Sequence, residues 1–94
     1  MTEILKKGWD GFLQLCLRTQ DEALLQSLLE LLLTADERND LAMRYLIVKE
    51  LLAGEKTQRQ IAQDLNVSIA KITRGSNELK RVKVEILEYL KGLK

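Results

Sequence analysis

The stretch "IAQDLNVSIAKITR", residues 61–74, decides the fold of this chain. Ala62 is small enough for two helices to cross closely, and Asn66 favours a tight left-handed turn between them. The residues predicted to share the core of this helix pair are Ile61, Leu65, Val67 and Ile72. The spacing predicts a helix-turn-helix over about residues 57–81, although a plain αα-hairpin can show the same apolar pattern.

The sequence around this stretch predicts an all-α fold, because proline is absent and no alternating β-branched run is sustained. Residues 34–37 read T-A-D-E, the spacing of a capping box that starts a long helix, and Gly54 is placed to end that helix. Residues 57–60 form a second box at the start of the next helix, and Ser68 can cap the one after it. The remaining helices are predicted near residues 3–19, 23–33 and 84–93.

Apolar stripes predict which helix faces are covered. The stripes are Leu5, Trp9, Phe12 and Cys16 in the first helix, Leu41, Tyr45, Val48 and Leu52 in the third, and Ile86, Leu90 and Leu93 in the last. Residues 23–33 are apolar around almost the whole circumference, which is typical of a helix buried on all sides.

The chain contains twenty leucines, and a domain of its length buries only about 60 to 65% of its extended surface. We therefore expect one domain over residues 1–94 that forms an intertwined homodimer. Its first, second and last helices would share one core, built from about residues 3–53 and 84–94. The alternative is a well-packed monomeric bundle.

Composition limits the classes of function. With 46% hydrophobic and 31% charged residues and no apolar run of membrane-spanning length, we expect a soluble protein. No signal peptide is visible and Cys16 is the single cysteine, so a cytoplasmic location is expected. Histidine is absent, which removes the commonest general base and the usual zinc ligands. We expect no enzyme activity, no catalytic residues and no metal site.

Residues 55–83 carry seven cationic and three anionic side chains, a net charge of +4 inside a chain of net charge +1. Such a stretch indicates a phosphate-binding face, or merely a solvated lysine-rich surface. In a helix-turn-helix the second helix enters the major groove of double-stranded DNA by its N-terminal end, which Ser68 caps here. Ile69 and Ala70 are predicted to approach base edges, and Lys71 a guanine or a phosphate. Thr73 and Lys80 are predicted to meet backbone oxygens, and Gln58 and Arg59 phosphates or an edge base. Ser68 belongs to the same predicted DNA-binding set. A helical adaptor that binds another protein rather than DNA is the rival class.

The sequence "LLLTADERNDLAMRYLIVKELLAGEKTQRQIAQDLNVSIAKITRGSNELK", residues 31–80, resembles the tryptophan repressor family. The resemblance rests on the family's residue types at the family's spacing in residues 33–38, 47–55 and 72–77 and at Arg44, Gln58 and Arg59. It implies an intertwined dimer with a DNA-reading head in each subunit. It also implies that the dimer represses transcription by binding operator DNA when L-tryptophan, the corepressor, is bound; no other cofactor is expected.

The resemblance also implies which residues hold the ligand. Arg44 and Arg74 would lie on either face of the indole, with Arg74 and Thr34 holding the carboxylate. Arg74 also belongs to the implied DNA-binding set. The backbone carbonyls of Leu31 and Leu33 would accept the ammonium, and Val48, Gly75 and Glu78 complete the implied tryptophan site. An ordinary salt bridge of Arg44 with Glu37 or Asp40, and tight helix packing at Gly75 without a ligand, are the alternatives.

Three positions depart from the family's pattern. Glu78 stands where a serine is expected near the ligand's amino group, so it can pair with the ammonium or repel the carboxylate and change the effector. Ala62 replaces a lysine that contacts phosphate, and Lys71 replaces a threonine at the reading end. A helix-turn-helix regulator with another effector, or with none, therefore stays open beside the tryptophan hypothesis.

Overall fold

Residues 1–93 are described by the computed structural model and form six α-helices with no β-strand. The helices are α1 (Glu3–Arg18), α2 (Glu22–Leu32), α3 (Ala35–Ala53), α4 (Gln58–Leu65), α5 (Ile69–Arg81) and α6 (Val84–Gly92). The predicted all-α class is confirmed, and each predicted helix is present within one or two residues of its predicted ends. Lys94, the last residue of the predicted domain, lies outside the described residues.

The contacts within the chain fall into two units, Met1–Arg38 and a second that starts at Asn39. The prediction of one domain over the whole chain is not tested by this division and stays a prediction. No helix in residues 1–93 combines the length and the apolar character needed to cross a bilayer.

The first unit contains α1, α2 and the start of α3. The Thr2 hydroxyl caps α1 by accepting from the backbone N–H of Leu5 at 3.2 Å, and the Asp21 carboxylate caps α2 by accepting from Leu24 at 3.1 Å. Neither helix contains a buried residue. In the single chain α2 is not buried, and Leu31 is 78% exposed, so burial of α2 in a homodimer stays a prediction.

The box predicted at the start of α3 is formed. The Glu37 backbone N–H donates to the Thr34 hydroxyl at 3.1 Å, and the Glu37 carboxylate accepts from the Thr34 backbone N–H at 2.8 Å. The hydrogen bond from the Thr34 backbone, followed by that from its side chain, lowers the pKa of Glu37 below its ordinary value. This box fixes the point at which the chain leaves α2 and enters α3.

The turns around α4 follow the predicted chemistry. Gly54 has φ +67°, the left-handed conformation that ends a helix most easily with glycine. Thr57 and Gln60 form the second capping box, and Ser68 caps α5 by accepting from the Lys71 backbone N–H at 3.3 Å. Asn66 ends α4 in the left-handed conformation, with φ 55° and ψ 48°, and so forms the tight turn between α4 and α5.

The buried core consists of Ile47, Ile61, Ala62 and Ile72. Half-buried side chains packed against it are Met43, Leu51, Leu65 and Val67. Ile61 and Ile72 have no exposed surface, so the helix pair α4–α5 and the middle of α3 share the best-packed part of the second unit. The core predicted for the helix pair is confirmed.

The predicted inner stripe of α3 is wrong at Leu41 and Tyr45, whereas Val48 and Leu52 are half-buried. Leu41 and Tyr45 are 49% and 64% exposed, whereas Ile47, which was not assigned to the stripe, is 4% exposed. The helix has apolar residues on two neighbouring faces, and the α4–α5 pair packs against the face of Ile47 rather than that of Tyr45. The exposed face of α3 is thus left for another contact.

Large apolar side chains remain exposed in both units. They include Leu5, Trp9, Leu17, Leu24, Leu31, Tyr45, Ile86 and Tyr89, each at least 47% exposed. In residues 1–93 of the single chain only four residues form the buried core. The homodimer and the monomeric bundle both stay predictions, and the exposed apolar side chains favour the homodimer.

Candidate ligand and nucleic-acid site

A cavity of about 680 Å³ lies in the second unit, between side chains of α3, α5 and α6. Five residues of the implied tryptophan site line it: Arg44, Val48, Arg74, Gly75 and Glu78. Arg74, Gly75 and Glu78 fall on one side of α5 because of their helical spacing, and this side lines the cavity together with Arg44 and Val48 of α3. The other three implied residues, Leu31, Leu33 and Thr34, belong to the first unit and are not among the lining residues.

Gly75 of α5 packs closely against side chains of α3. A Cβ atom at this position would lie 2.9 Å from Cγ2 of Ile47 and 3.5 Å from Cδ1 of Leu51. The first distance is shorter than non-bonded carbon atoms tolerate, so glycine is required by the packing of the two helices. The packing alternative for Gly75 is sufficient by itself, while its place in the cavity wall keeps the ligand role open.

The two cavity arginines are free to bind a ligand. Within residues 1–93, neither Arg44 nor Arg74 makes a salt bridge or a side-chain hydrogen bond, and both are exposed. The alternative of a salt bridge from Arg44 to Glu37 or Asp40 is not formed, and Glu37 is occupied by Thr34 instead. Planar guanidinium groups stack on aromatic rings and pair with carboxylates, so these two side chains suit a flat anionic ligand.

Two of the polar groups implied for the ligand in the first unit already make hydrogen bonds. The Thr34 hydroxyl accepts from the Glu37 backbone, as described above. The backbone carbonyl of Leu33 accepts from Nη1 of Arg38 at 2.8 Å, and that of Glu30 from the same atom at 3.4 Å. A ligand ammonium at Leu33 must therefore share this carbonyl with Arg38 or displace it. Sequence reasoning missed Arg38, although its place in the first turn of α3 puts its side chain within reach of the end of α2.

Sequence reasoning also missed three kinds of cavity residue. Lys71 was assigned to DNA alone and Asp40 only to a possible salt bridge, yet both line the cavity. Ile86 and Leu90 of α6 were assigned to the dimer core and line it as well. The signal for the polar pair is helical spacing, since Asp40 lies one turn before Arg44 and Lys71 two turns before Glu78.

The residues predicted to bind DNA lie on α4, at the N-cap of α5 and along α5. Ile69 is 47% exposed, and Ala70, Lys71 and Arg59 are exposed too. Thr73 donates from its hydroxyl to Oε1 of Gln58 at 3.1 Å, so these two predicted phosphate-binding side chains are brought together across the helix pair. Ser68 is held in its capping role, and Lys80 lies near the far end of α5.

Some cations of the basic stretch, residues 55–83, form ion pairs and others do not. Lys56 Nζ lies 2.7 Å from Asp64 and 3.2 Å from Glu50, and the hydrogen bond to Asp64, followed by that to Glu50, raises the pKa of Lys56. Arg81 pairs with Glu78 at 3.4 Å. The cations that form no ion pair within residues 1–93 are Arg59, Lys71, Arg74, Lys80 and Lys83. The unpaired positive charge therefore belongs mainly to α5 and to the first turn of α4.

The second unit of this small all-helical protein thus combines a ligand-sized cavity with an exposed, cation-rich helix pair. The chain belongs to the Trp repressor protein family, whose family model matches residues 7–94. The resemblance stated from the sequence is confirmed by this match.

Curated relatives agree with the family assignment. The chain is 51% identical over 85 residues to a protein of Chlamydia trachomatis serovar D named "Trp operon repressor homolog", covering 90% of each chain. Proteins with the same name from Chlamydia caviae and Histophilus somni are 47% and 46% identical, over 94% and 88% of this chain and 87% and 78% of theirs.

Proposed function

We propose that this protein is a transcriptional repressor that binds operator DNA as a homodimer when L-tryptophan occupies the cavity. The observation that carries the proposal is the face of α5 on which Arg74, Gly75 and Glu78 line the cavity, while the preceding turn carries the exposed Ile69 and Lys71. In this proposal α5 contacts the ligand through one side and the major groove of DNA through its N-terminal end. A ligand that shifts α5 therefore also shifts the DNA-contacting residues.

Three features support DNA as the partner. The α4–α5 pair shares a buried core with α3, so its exposed side chains are carried on a packed base. The N-terminal end of α5 presents the apolar Ile69 and the cationic Lys71, which suit thymine methyls, guanine acceptors or phosphates. Arg59 and Lys80 add cations with no ion pair in the described part of the chain, and these suit the phosphate backbone.

The cavity supports a ligand with a flat apolar part and an anionic part. Ile47, Val48, Ile86 and Leu90 supply apolar wall, and Arg44 and Arg74 supply guanidinium groups without ion pairs in residues 1–93. L-tryptophan fits this chemistry, and the name "Trp operon repressor homolog" of the relatives supports it.

The homodimer is supported by the apolar surface of α1 and α2, which contain no buried residue in the single chain. In the proposed dimer, two recognition helices about 34 Å apart reach successive major grooves. L-tryptophan sets this distance by shifting the helix pair, and its coupling to DNA is reciprocal: DNA tightens tryptophan binding by the same factor as tryptophan tightens DNA binding.

Calorimetry tests the proposal. A DNA duplex is first selected from a random pool with the protein in the presence of L-tryptophan. L-Tryptophan is then titrated into the protein alone and into the protein saturated with this duplex. We expect binding in both titrations and a tighter dissociation constant with the duplex, by about 5-fold to 150-fold. Equal affinities would overturn the switch. A matched pair, Arg74→Lys and Lys83→Arg, separates the cavity guanidinium from general positive charge; only Arg74→Lys is expected to weaken tryptophan binding.

A second candidate keeps DNA binding but assigns another effector, or none, to the cavity. Glu78 in the cavity wall and Arg38 on the Leu33 carbonyl favour it. Gel shifts with a panel of amino acids and indole compounds distinguish the two, because DNA retardation that is independent of every additive identifies a constitutive binder. A protein adaptor is distinguished by Arg59→Ala with Lys71→Ala, which is expected to abolish DNA binding and to leave an adaptor's partner bound.

A further inference from the structure

A side-chain hydrogen bond joins α4 to α5 through two residues that both belong to the predicted DNA-binding set. The Thr73 hydroxyl of α5 donates to Oε1 of Gln58, the first residue of α4, at 3.1 Å. The bond is exposed, so it adds little to the stability of the helix pair, which Ile61 and Ile72 hold with no exposed surface of their own. Its main effect is therefore on the orientation of the Gln58 amide group.

The bond decides which of the two side chains can donate to DNA. A threonine hydroxyl has a single hydrogen atom, and that of Thr73 is directed at Gln58. Phosphate oxygens accept hydrogen bonds, so Thr73 in this arrangement has no hydrogen atom for them. The Nε2 atom of Gln58 is a donor and has no acceptor within residues 1–93. Gln58 is thus the member of the pair that can donate to a phosphate.

The orientation of the amide matters because its two ends have opposite roles. An amide oxygen turned outward would bring an acceptor against the phosphate, whereas the nitrogen brings a donor. The Thr73 hydroxyl holds the oxygen on its own side before DNA binds, which lowers the cost of ordering the Gln58 side chain on binding. Arg59, the next residue, is exposed and forms no ion pair within residues 1–93, so the start of α4 presents two neighbouring donor side chains.

Resting on the proposed function, we propose that Thr73 is a positioning residue whose hydroxyl orients the Gln58 amide, so that Nε2 of Gln58 donates to a phosphate oxygen of the operator. Thr73 acts on DNA through Gln58 and does not itself donate to the phosphate. Because the contact is to the DNA backbone, it fixes the position of α4 on the duplex and carries no base specificity of its own.

A double-mutant cycle on the full chain tests this assignment. Fluorescence anisotropy measures binding to a labelled duplex selected in the presence of L-tryptophan, which is kept in the assay. Thr73→Val removes the hydroxyl at nearly constant shape, Gln58→Met removes the amide at nearly constant length, and a third variant combines them. Thr73→Ser keeps the hydroxyl. Thr19→Val is the matched control, because it removes a hydroxyl that donates to the Leu15 carbonyl in the first unit at 2.7 Å.

We expect Gln58→Met to weaken DNA binding about tenfold, as the loss of a hydrogen bond to a charged group does. Thr73→Val should weaken it about threefold to tenfold. The combined variant should bind no more weakly than Gln58→Met alone, because Thr73 then has no amide to orient. Thr73→Ser and Thr19→Val should bind like the wild type, and circular dichroism melts check that every variant is folded.

Losses that add in the combined variant would show that Thr73 contacts DNA itself and would overturn the inference. Wild-type binding by Thr73→Val or by Gln58→Met would overturn it too. A loss in Thr73→Ser equal to that in Thr73→Val would assign the effect to packing of the threonine methyl group, with the same result. All these outcomes leave the proposed function standing, whereas failure of the wild type to bind any duplex in the presence of L-tryptophan would overturn both.

Discussion

Gly75 on α5 and Ile47 on α3 are in contact so close that a Cβ atom on Gly75 would lie 2.9 Å from Cγ2 of Ile47. Ile47 is 4% exposed and its Cγ2 methyl is attached to the β-carbon, so it cannot move away by rotating a flexible chain end. The spacing between the two helices, and with it the width of the cavity that both line, depends on this pair.

Replacing Gly75 with alanine is expected to destabilise the protein by up to about 2 kcal/mol, because overpacking of about 1 to 3 kcal/mol outweighs the gain in helix propensity of about 1 kcal/mol. Urea unfolding measures the change. The double variant with Ile47→Leu, which has no methyl on its β-carbon, should recover part of the loss relative to Ile47→Leu alone. Additive effects of the two substitutions would contradict a direct contact.

Asn66 allows a second prediction, because it holds φ 55° at the end of α4. Asn66→Ala is expected to cost about 1 kcal/mol, since a β-carbon without a compensating polar group disfavours the left-handed region. Asn66→Gly should change the free energy of unfolding by much less, because glycine adopts this conformation freely. Thermal melts of the two variants decide the matter, and an equal loss in both would point to the asparagine side chain rather than to the backbone.

Glu37 makes the stability of the α3 start depend on pH. Its pKa is lowered in the folded chain by the hydrogen bonds from Thr34, so its stabilising effect is present above the pKa of an ordinary glutamate, about 4.3, and is lost as the pH falls through the lowered folded value. The melting temperature of the wild type should therefore exceed that of Glu37→Gln near neutral pH, and the difference should shrink in acid. A difference that stays constant with pH would show that the charge of Glu37 contributes nothing.

Lys56 connects Glu50 at the end of α3 with Asp64 of α4. Its pKa is raised, so the stabilisation is present below the ordinary lysine pKa and is lost as the pH rises through the raised value. All three side chains are partly exposed, so Lys56→Gln should lower the urea midpoint slightly at low salt and hardly at all at high salt. A loss that is equal at both salt concentrations would mean that the lysine acts through packing of its alkyl chain.

The helix boundaries could be predicted because they depend on short-range chemistry. Thr34, Gly54, Thr57, Asn66 and Ser68 each act on backbone groups within a few residues, and each acts in the structure as its side chain predicts. Such capping and turn interactions need no knowledge of the tertiary contacts.

The packed face of α3 could not be predicted in this way. Apolar residues occupy both of its neighbouring faces, and the choice of Ile47 over Tyr45 is made by contacts with α4 and α5 that are distant in sequence. For the same reason Asp40 and Lys71 were not assigned to the cavity, since the approach of α3 and α5 at Gly75 is what places their helices side by side.

The four-residue buried core lies entirely after residue 46, so α1 and α2 have no buried residue of their own. If a second copy covers these helices, as we propose, a newly made chain is sensitive to proteases and prone to aggregation until it dimerises. Scarce subunits would then be degraded before they pair, and the amount of active regulator would rise more steeply than the rate of its synthesis.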